Sequence, residues 1–583
     1  MIRCLALTFA SLSAPAAIAA QPADSSVAAA GDRFKALHEA EWAWRTTELA
    51  IGPQGVRGPG ADRLPDVSPA SQKRRQDYWT RTLAELDRIP AGQLSDEDRI
   101  NYVVFRTSIA TFLHELEAKD YEMPFISGTS FWARIAPRAG FRSVEEYRAY
   151  LARMRDIPRF FDQNVANMRA GLKRGFTPPR VTITGRERTI EPFANADVLK
   201  NPFYNAFLQM PTSIPAAEQE ALKQEAQKVI AGAVVPAFTK LLPFIRDEYI
   251  PGARTTIAAE ALPNGKAHYA TLVKDHTTLD LTPRQIHQVG LGEVARIRAE
   301  MDVVMRKSGW TGSFPDFLTF LKTDPQFVAK TPYELLSRTT FILNKVNGKL
   351  GEMIGLLPRY RFTVLPTPVA IAPFGTGGNG GLDSCVFNTF NLPARKLYTL
   401  PALAVHECAP GHSFQAALAL EGPKRPDFRR SASFNGYSEG WGLYTEFLGI
   451  GMGVYETPYD DFGRLTYEMW RACRLVIDTG MHHLGWSREK AIAYLAGNTA
   501  LADHEVETEV DRYISNPGQA LAYKLGEMLI RRKRIEAEAK LGSNFDQRWF
   551  HDVILALGSV PLPVLEQQID LWIAGGGKNP NSA

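Results

Sequence analysis

Residues 403–415 read LAVHECAPGHSFQ, an apolar pattern that carries His406, directly followed by a glutamate, and His412. Histidines four apart share one face of an α-helix, whereas six steps of about 100° place these two on nearly opposite faces. Pro410 disfavours helical geometry in the residue before it, and Gly411 tolerates the dihedral angles of a bulge. The stretch therefore predicts a helix that is interrupted between the histidines, so that both rings return to one side.

Such a pair of imidazoles predicts a zinc site, because each neutral ring can donate a nitrogen lone pair to the metal. Glu407, adjacent to the first histidine, is the expected general base toward a zinc-activated water. Zinc in hydrolases usually keeps three protein ligands, and Glu439 in the segment YSEGWGLYTE at 437–446 is the predicted third. Glu446 lies two helical turns later on the same face, so we expect it to bind an imidazole N–H and orient the ring.

Other interpretations of these residues remain open at the level of sequence. Glu439 and Glu446 alone also fit a solvated helix face, or the two carboxylates of a glycosidase, which leaves the histidines unexplained. The pair at 504–505 repeats His-Glu without a second histidine at a useful distance and is interpreted as coincidence. The glycine cluster at 375–381 lacks the Lys-Ser/Thr ending of a phosphate loop, which favours a flap beside the cleft or a plain loop.

Helical periodicity dominates the rest of the chain and predicts a mainly α, large multi-helix fold. Two β-like runs, RFTVLPTPVAIAP and LDSCVFNTFNLP, flank the glycine cluster within about 358–395 and predict a small β-sheet beside a central cleft. Capping boxes are predicted at Ser143 with Glu146, Thr282 with Gln285 and Thr331 with Glu334. The predicted helices cover approximately 96–117, 144–172, 216–248, 283–307, 332–356, 460–485 and 519–540.

The chain ends and its composition set the expected organisation. Residues 1–20 place Arg3 before a short apolar run that ends in small residues, the pattern of a cleaved signal peptide, which predicts a periplasmic or secreted protein. We expect a flexible segment at 21–30, one large helical domain at 31–575 and a disordered tail at 576–583. No later segment is expected to span a membrane. The net charge of +4 is spread among mixed charges and does not indicate nucleic-acid binding.

Three cysteines remain once the predicted signal is removed: Cys385, Cys408 and Cys473. Because the number is odd, at least one must lack a partner within the chain. An oxidising compartment permits a bridge such as Cys385 to Cys473, although the sequence does not show that the two lie close together.

In these segments and others, the chain resembles a mostly bacterial family known as DUF885. This domain of unknown function is placed by similarity among the zincin-type metallopeptidases. The resemblance implies a largely helical, zincin-like two-lobed body with the gluzincin arrangement of two histidines and a downstream glutamate. Ser413, where histidine is frequent, and Cys408 depart from the usual pattern, which leaves substrate preference open. The resemblance is carried by LPALAVHECAPGHSFQ, YSEGWGLYTE, RLVIDTGMH, RYISNPGQALAYKLG, IPRFFDQNVANMRAGLKRGFTPPRV and TTLDLTPRQIHQVGLGEVARIRAEM.

Further catalytic candidates follow from what peptide hydrolysis needs. His482, oriented by Asp478 four residues earlier, or Tyr523 is the expected donor to the oxyanion. Arg512 is a candidate for holding a substrate carboxylate through a bidentate pair. For each of these groups, ordinary packing or a surface ion pair is an equal alternative.

Together these residues predict a zinc-dependent peptide hydrolase with one zinc ion, either an oligopeptidase or a carboxypeptidase-like enzyme. The segment 382–391 is a candidate edge strand along which a peptide substrate lies, with Asn388 as one contact. The alternative from a different class is a non-catalytic exported helical binding protein whose zinc is structural or vestigial. The sequence leaves the bond cleaved and the oligomeric state open.

Overall fold

Helices form most of the protein, which confirms the expected mainly α, multi-helix fold. In the first half of the chain the α-helices are α1 Ser25–Glu48, α2 Pro69–Leu86, α3 Asp96–Ala118, α4 Val144–Arg174, α5 Arg180–Ile183, α6 Ala216–Val229, α7 Val235–Pro243, α8 Ile250–Gly252 and α9 Gly265–Thr277. In the second half they are α10 Pro283–Lys307, α11 Phe314–Thr323, α12 Pro332–Asn347, α13 Leu350–Met353, α14 Leu400–Glu407, α15 His412–Glu421, α16 Asp427–Ser431, α17 Asn435–Gly451, α18 Pro458–His482, α19 Arg488–Asn498, α20 Asp503–Ser515, α21 Ala522–Leu541, α22 Gln547–Ala556 and α23 Leu562–Ala574.

The computed structural model describes residues 25–50, 62–133, 135–137, 140–369 and 372–582. The predicted signal peptide at 1–20 lies outside these residues. Residues 25–30, expected to be flexible, instead form the first turns of α1, where Ala30 is buried. The tail expected to be disordered instead contacts the body, since Asn581 Nδ2 donates to Asp552 and Trp572 Nε1 donates to the carbonyl of Lys578.

Helix starts follow the capping chemistry in the sequence, with one difference in detail. Thr282 and Gln285 form a complete capping box at the start of α10. The hydroxyls of Ser143 and Thr331 also accept from the backbone at their predicted partners, but the two glutamates there bind the N–H one residue before the cap. The cap hydroxyl therefore satisfies one of the free N–H groups at each of the three helix starts.

Three large apolar cores support the body. The first joins α1–α3 to α17 and the C-terminal helices, with Phe34, Phe428 and Trp441 among its buried residues. The second gathers α4–α8, and the third gathers α10, α11 and α18–α20. Helix α18 is the central element, because from Phe462 to His482 every residue is buried.

The helix from 216 to 252, which is continuous through α6, α7 and α8, is long and apolar enough to cross a membrane by length and composition alone. Its apolar side chains, including Ile230, Val234 and Phe238, pack in the second core. That packing is typical of the core helix of a globular body. The expected absence of a membrane-spanning segment therefore stays a prediction. The length of this helix does not support it, because the helix is long enough to span a membrane.

A three-stranded sheet lies beside the interrupted helix, as the two β-like runs predict. Strands β1 Phe125–Ile126 and β2 Thr129–Ser130 form a separate hairpin. In the larger sheet, β5 Ser384–Phe387 is central, parallel to β3 Thr363–Pro366 and antiparallel to β4 Gly378–Gly380. Part of the glycine cluster is therefore a strand, where the sequence favoured a flap or a loop.

A disulfide fixes this sheet to the helix interruption. It joins Cys385 in β5 to Cys408, directly after α14, with 5.6 Å between the Cα atoms. Cys473 is buried without a disulfide partner among the described residues. The expected unpaired cysteine is confirmed, but the candidate bridge between Cys385 and Cys473 is wrong, because Cys473 lies inside the third core.

Candidate metal centre

The helix that carries His406 ends at Glu407, and a new helix begins at His412, as the proline and glycine between them predict. Two backbone carbonyls at the break, which lack helical partners, accept other hydrogen bonds. Ser413 Oγ donates to the carbonyl of Glu407, and the N–H of Phe414 donates to the carbonyl of Cys408. Both bonds stabilise the break, and the two histidines line the same cavity.

Two glycines are required by the close approach of these segments. A Cβ atom on Gly411 would overlap the carbonyl of His406, so no larger residue fits at the break. A Cβ on Gly442, about one turn after Glu439 in α17, would lie 2.9 Å from the His406 ring and 3.1 Å from the His412 ring. Glycine at both positions therefore lets α17 and the broken helix come together around the two imidazoles.

His406, His412 and Glu439 form a compact cluster of three possible metal ligands. Their ligand atoms all lie within 4.8 Å of one another. Glu439 Oε2 is 3.6 Å from His406 Nε2 and 3.3 Å from His412 Nε2. Two donors on a tetrahedral zinc at its usual bond lengths stand about 3.3 Å apart, so the donor set and its spacing fit this ion.

The carboxylates around His406 favour positive charge at the cluster. Burial opposes a charged ring, yet the carboxylates of Glu439 and Glu446 beside the ring raise the pKa of His406 to about 9. Burial would likewise raise the pKa of Glu439, but hydrogen bonds and charge attraction from the two histidines hold it well below its usual range. A cation between these groups is thus electrostatically favoured.

Glu446 lies where its spacing from Glu439 predicts. Its Oε1 is 2.8 Å from His406 Nδ1, and the side chains of both residues are only 2% exposed. This contact occupies the nitrogen of His406 that faces away from the cavity and leaves Nε2 directed at the cluster. Arg471 Nη2 lies 3.5 Å from the same carboxylate oxygen.

Glu407 lies beside the cluster and lines the same cavity. Its Oε2 accepts a hydrogen bond of 2.8 Å from the backbone N–H of Gly380 in β4. The strand therefore holds the carboxylate in place without adding a charged partner. A carboxylate beside such a cluster of possible metal ligands is positioned to accept a proton from a water molecule.

The cavity has a volume of about 480 Å³ and is lined by the cluster, β4, α18, α20 and the start of α21. Tyr523 and Arg512 both line it, as the sequence predicts. Burial, followed by the charge of Glu439, raises the pKa of the Tyr523 phenol, which keeps it protonated as a donor. The Arg512 guanidinium, however, donates to Glu509 and Gln519. Its expected role in holding a substrate carboxylate stays a prediction, because Arg512 lines the cavity while it pairs with Glu509.

His482 is a buried core residue and does not reach the cavity, which corrects its expected catalytic role. Its Nδ1 accepts from the N–H of Ala259 at 3.0 Å, and its Nε2 lies 3.0 Å from the carbonyl of Tyr513. Asp478 does not orient this ring. Its carboxylate instead accepts from the hydroxyl of Tyr269 and the N–H of Gly518, so the alternative of ordinary packing holds for both residues.

Asn388 is also a structural residue, and its expected substrate contact is wrong. Its Nδ2 donates to the carbonyls of Ala372 and Gly375, and the residue is fully buried. The segment 382–391 is not an edge, because β5 within it is paired on both sides. The strand that lines the cavity is β4, whose glycines gave no strand signal in the sequence.

The sequence also missed a charged part of the cavity wall. Helix α18 lines the cavity with Tyr467, Trp470, Arg471 and Arg474. Counted from Tyr467, the other three residues lie three, four and seven positions later, which places them on one helix face. Arg471 and Arg474, inside the long apolar pattern at 460–485, were the available signal.

Comparison with known proteins supports the fold and gives no activity. A family model described as "Bacterial protein of unknown function (DUF885)" matches residues 47–569. A crystal structure from Colwellia psychrerythraea, described as a "putative lipoprotein", is similar with 26% identity and a TM-score of 0.84, over 94% of this chain and 99% of that one. A second, from Shewanella oneidensis and described as a "putative lipoprotein of unknown function", shares the fold at 18% identity and a TM-score of 0.68, over 92% and 98%. A search of curated proteins found no match.

Proposed function

The chain belongs to the DUF885 family of bacterial proteins, and from its site we propose that it is an exported, zinc-dependent peptide hydrolase. The observation that carries the proposal is the cluster of His406, His412 and Glu439 at the wall of a cavity, with the carboxylate of Glu407 beside it. Export is supported by the signal pattern at 1–20 and by the description of the two similar structures as lipoproteins. The zincin relationship remains part of this proposal.

His406, His412 and Glu439 would hold the zinc ion, which when bound supplies a Lewis acid that polarises water and carbonyl oxygen. Glu407 accepts the proton from the attacking water at its carboxylate and later returns it to the leaving amine. The Gly380 N–H keeps that carboxylate oriented toward the cavity. Tyr523 donates its phenolic proton in a hydrogen bond to the oxygen of the cleaved carbonyl, where negative charge develops.

The backbone of β4 offers a place for the substrate main chain. This strand is an edge of the sheet, paired only with β5 among the described strands, and it lines the cavity. An extended peptide can add to such an edge through main-chain hydrogen bonds. That binding mode takes the place of the expected contact along 382–391.

The glycosidase alternative is disfavoured by the position of Glu446. A catalytic carboxylate must reach the substrate, whereas the Glu446 side chain is 2% exposed and bound to His406. The non-catalytic binding protein remains the competing outcome. It would bind zinc or peptides without cleaving them.

The variant Glu407→Gln tests the proposal, with zinc content and digestion of a peptide library as the measurements. We expect the variant to keep its zinc and to lose about 10²–10⁴-fold in rate, the usual contribution of a general base. Glu421→Gln is the matched control, because Glu421 lies on α15 and accepts from the backbone of Arg359 and Tyr360. A zinc-loaded wild-type protein that cleaves no peptide would contradict the proposal.

A further inference from the structure

A charged part of the cavity wall is built from two helix faces. Helix α18 contributes Arg471 and Arg474, and helix α20 contributes Glu505, Glu509 and Arg512. On each helix the spacings of three, four or seven residues place these groups on one face. Charged side chains from both helices therefore line one part of the same cavity as the histidines.

The two arginines of α18 that line the cavity, Arg471 and Arg474, have unused donors. For Arg471, the hydrogen bonds found within the described chain amount to one long contact, from Nη1 to the carbonyl of Tyr467 at 3.4 Å. Arg474 uses Nε on the hydroxyl of Tyr513 and Nη2 on Glu509. Arg471 Nε and Arg474 Nη1 are buried and have no acceptor in the part of the chain that the structure describes. Both residues are at least nine-tenths buried, so this under-use of donors is costly unless an acceptor binds.

The charges on this wall leave a positive excess. Glu509 is shared by Arg474 and Arg512, at 3.0 and 2.9 Å. Burial raises the pKa of Glu505 to about 7, so near neutral pH this carboxyl carries only part of its charge. Arg471 has no comparable partner on the wall, since its nearest carboxylate is Glu446 behind the cluster at 3.5 Å. An anion that enters the cavity is therefore attracted to Arg471.

Aromatic rings pack against the guanidinium groups of Arg471 and Arg474 and hold their orientation. Arg471 Cζ lies 4.2 Å from the ring centroid of Trp470 and 4.7 Å from that of Tyr467. Arg474 Cζ lies 4.4 Å from Trp470 and 4.2 Å from Tyr523. Stacked guanidinium groups lose little freedom when a planar carboxylate binds them, which suits them to bidentate recognition.

We propose that Arg471 and Arg474 form a subsite for the free C-terminal carboxylate of a short peptide. This inference rests on the proposed function and names its substrate class. A cavity of about 480 Å³ lies in the size range of pockets that enclose most of a small ligand. With the carboxylate held on α18, the peptide extends toward Glu407 and the histidines, and the bond cleaved lies near the C-terminus.

The test compares acetylated tripeptides of randomised sequence prepared with a free acid or an amide end. Zinc-loaded Glu407→Gln protein is dialysed to equilibrium against each mixture, and the retained peptides are measured by mass spectrometry. We expect free acids to be retained at least about tenfold more than amides, the range of a charge-assisted hydrogen bond. Adding Arg471→Gln should bring the ratio close to one, and Arg471→Lys should keep part of it.

The matched control is Arg464→Gln on the same background. Arg464 is a buried arginine of the same helix, but it pairs with Asp461 and Glu468 away from the cavity. It should leave the preference for free acids unchanged. If acids and amides are retained equally, if neither is retained, or if the preference survives Arg471→Gln, the subsite is wrong.

One further outcome separates a structural role from the proposed one. If Arg471 serves only to neutralise Glu446, Arg471→Gln will weaken zinc binding and lower retention of acids and amides alike, which overturns the subsite. Failure of the proposed function is distinguishable, because it appears as absence of hydrolysis by zinc-loaded wild-type protein. The dialysis measures binding and does not depend on that hydrolysis.

Discussion

His406 and His482 are both buried histidines on helices, yet their surroundings differ in one respect. His406 binds a carboxylate through Nδ1 and directs Nε2 at a cavity, where another histidine and Glu439 converge. His482 uses both ring nitrogens on backbone groups of Ala259 and Tyr513. A histidine whose second nitrogen faces a cavity can bind a ligand, whereas one with both nitrogens engaged serves the fold.

The same contrast holds for the acidic residues near the two rings. Glu446 binds the ring of His406 directly, whereas Asp478, four residues before His482, turns to Tyr269 and Gly518. Burial raises the pKa of Asp478 to about 7, as fits a carboxyl group inside the core. Sequence spacing alone therefore does not show which acid supports a histidine.

The largest expected difference between the two regions is in zinc binding. His406→Ala should lower zinc affinity by more than about 100-fold, because it removes a direct ligand. Loss of a residue that only hydrogen-bonds to a ligand already costs about 10–100-fold in affinity. His482→Gln should leave zinc affinity unchanged. A competition titration with a zinc chelator measures both, and equal losses in the two variants would remove the distinction.

A smaller effect is expected for the residues beside each ring. Glu446→Gln should weaken zinc binding by about 10–100-fold, since the His406 ring loses its charged acceptor. Asp478→Asn is the matched control and should bind zinc like the wild type. If Glu446→Gln binds zinc normally, Glu446 does not orient the His406 ring, but the three proposed ligands are not contradicted.

The smallest effect is on the pH dependence of stability. Burial lowers the pKa of His482 to about 4 from a usual value of 6.5. The unfolded chain therefore takes up a proton before the folded chain does, and stability falls as the pH drops from 6.5 toward about 4. This histidine contributes a slope of at most about 1.4 kcal/mol per pH unit.

Urea unfolding at pH 7 and pH 5 measures that slope. The variant His482→Gln cannot take up the proton, so its stability should fall less between the two pH values than that of the wild type. If the two proteins lose the same stability, His482 is not a buried neutral ring, and the contrast with His406 weakens.

Much of the fold and the centre of the site could be predicted because local chemistry determines them. Pro410 and Gly411 predict the break between the histidines, and the spacing of Glu439 and Glu446 places both on one helix face. Apolar periodicity likewise predicts seven long helical stretches, and most of their ends agree with the structure within a few residues. These features depend on neighbours along the chain, which the sequence displays directly.

The remaining features depend on which surfaces meet. Cys385 pairs with Cys408 because the sheet lies beside α14. Strand β5 is the central strand because β4, which consists of glycine and asparagine, pairs with it. His482 looks catalytic by spacing, but α18 is surrounded by other helices, so no face of it near this residue is open. Such outcomes are set by tertiary packing and not by a local pattern.

Diffraction data collected at the zinc absorption edge from crystals of the zinc-loaded protein test the central claim most directly. We expect one anomalous peak within about 2.0–2.2 Å of His406 Nε2, His412 Nε2 and a carboxylate oxygen of Glu439. A peak bound elsewhere, or no peak while Glu439 stays in direct contact with both rings, would contradict this expectation.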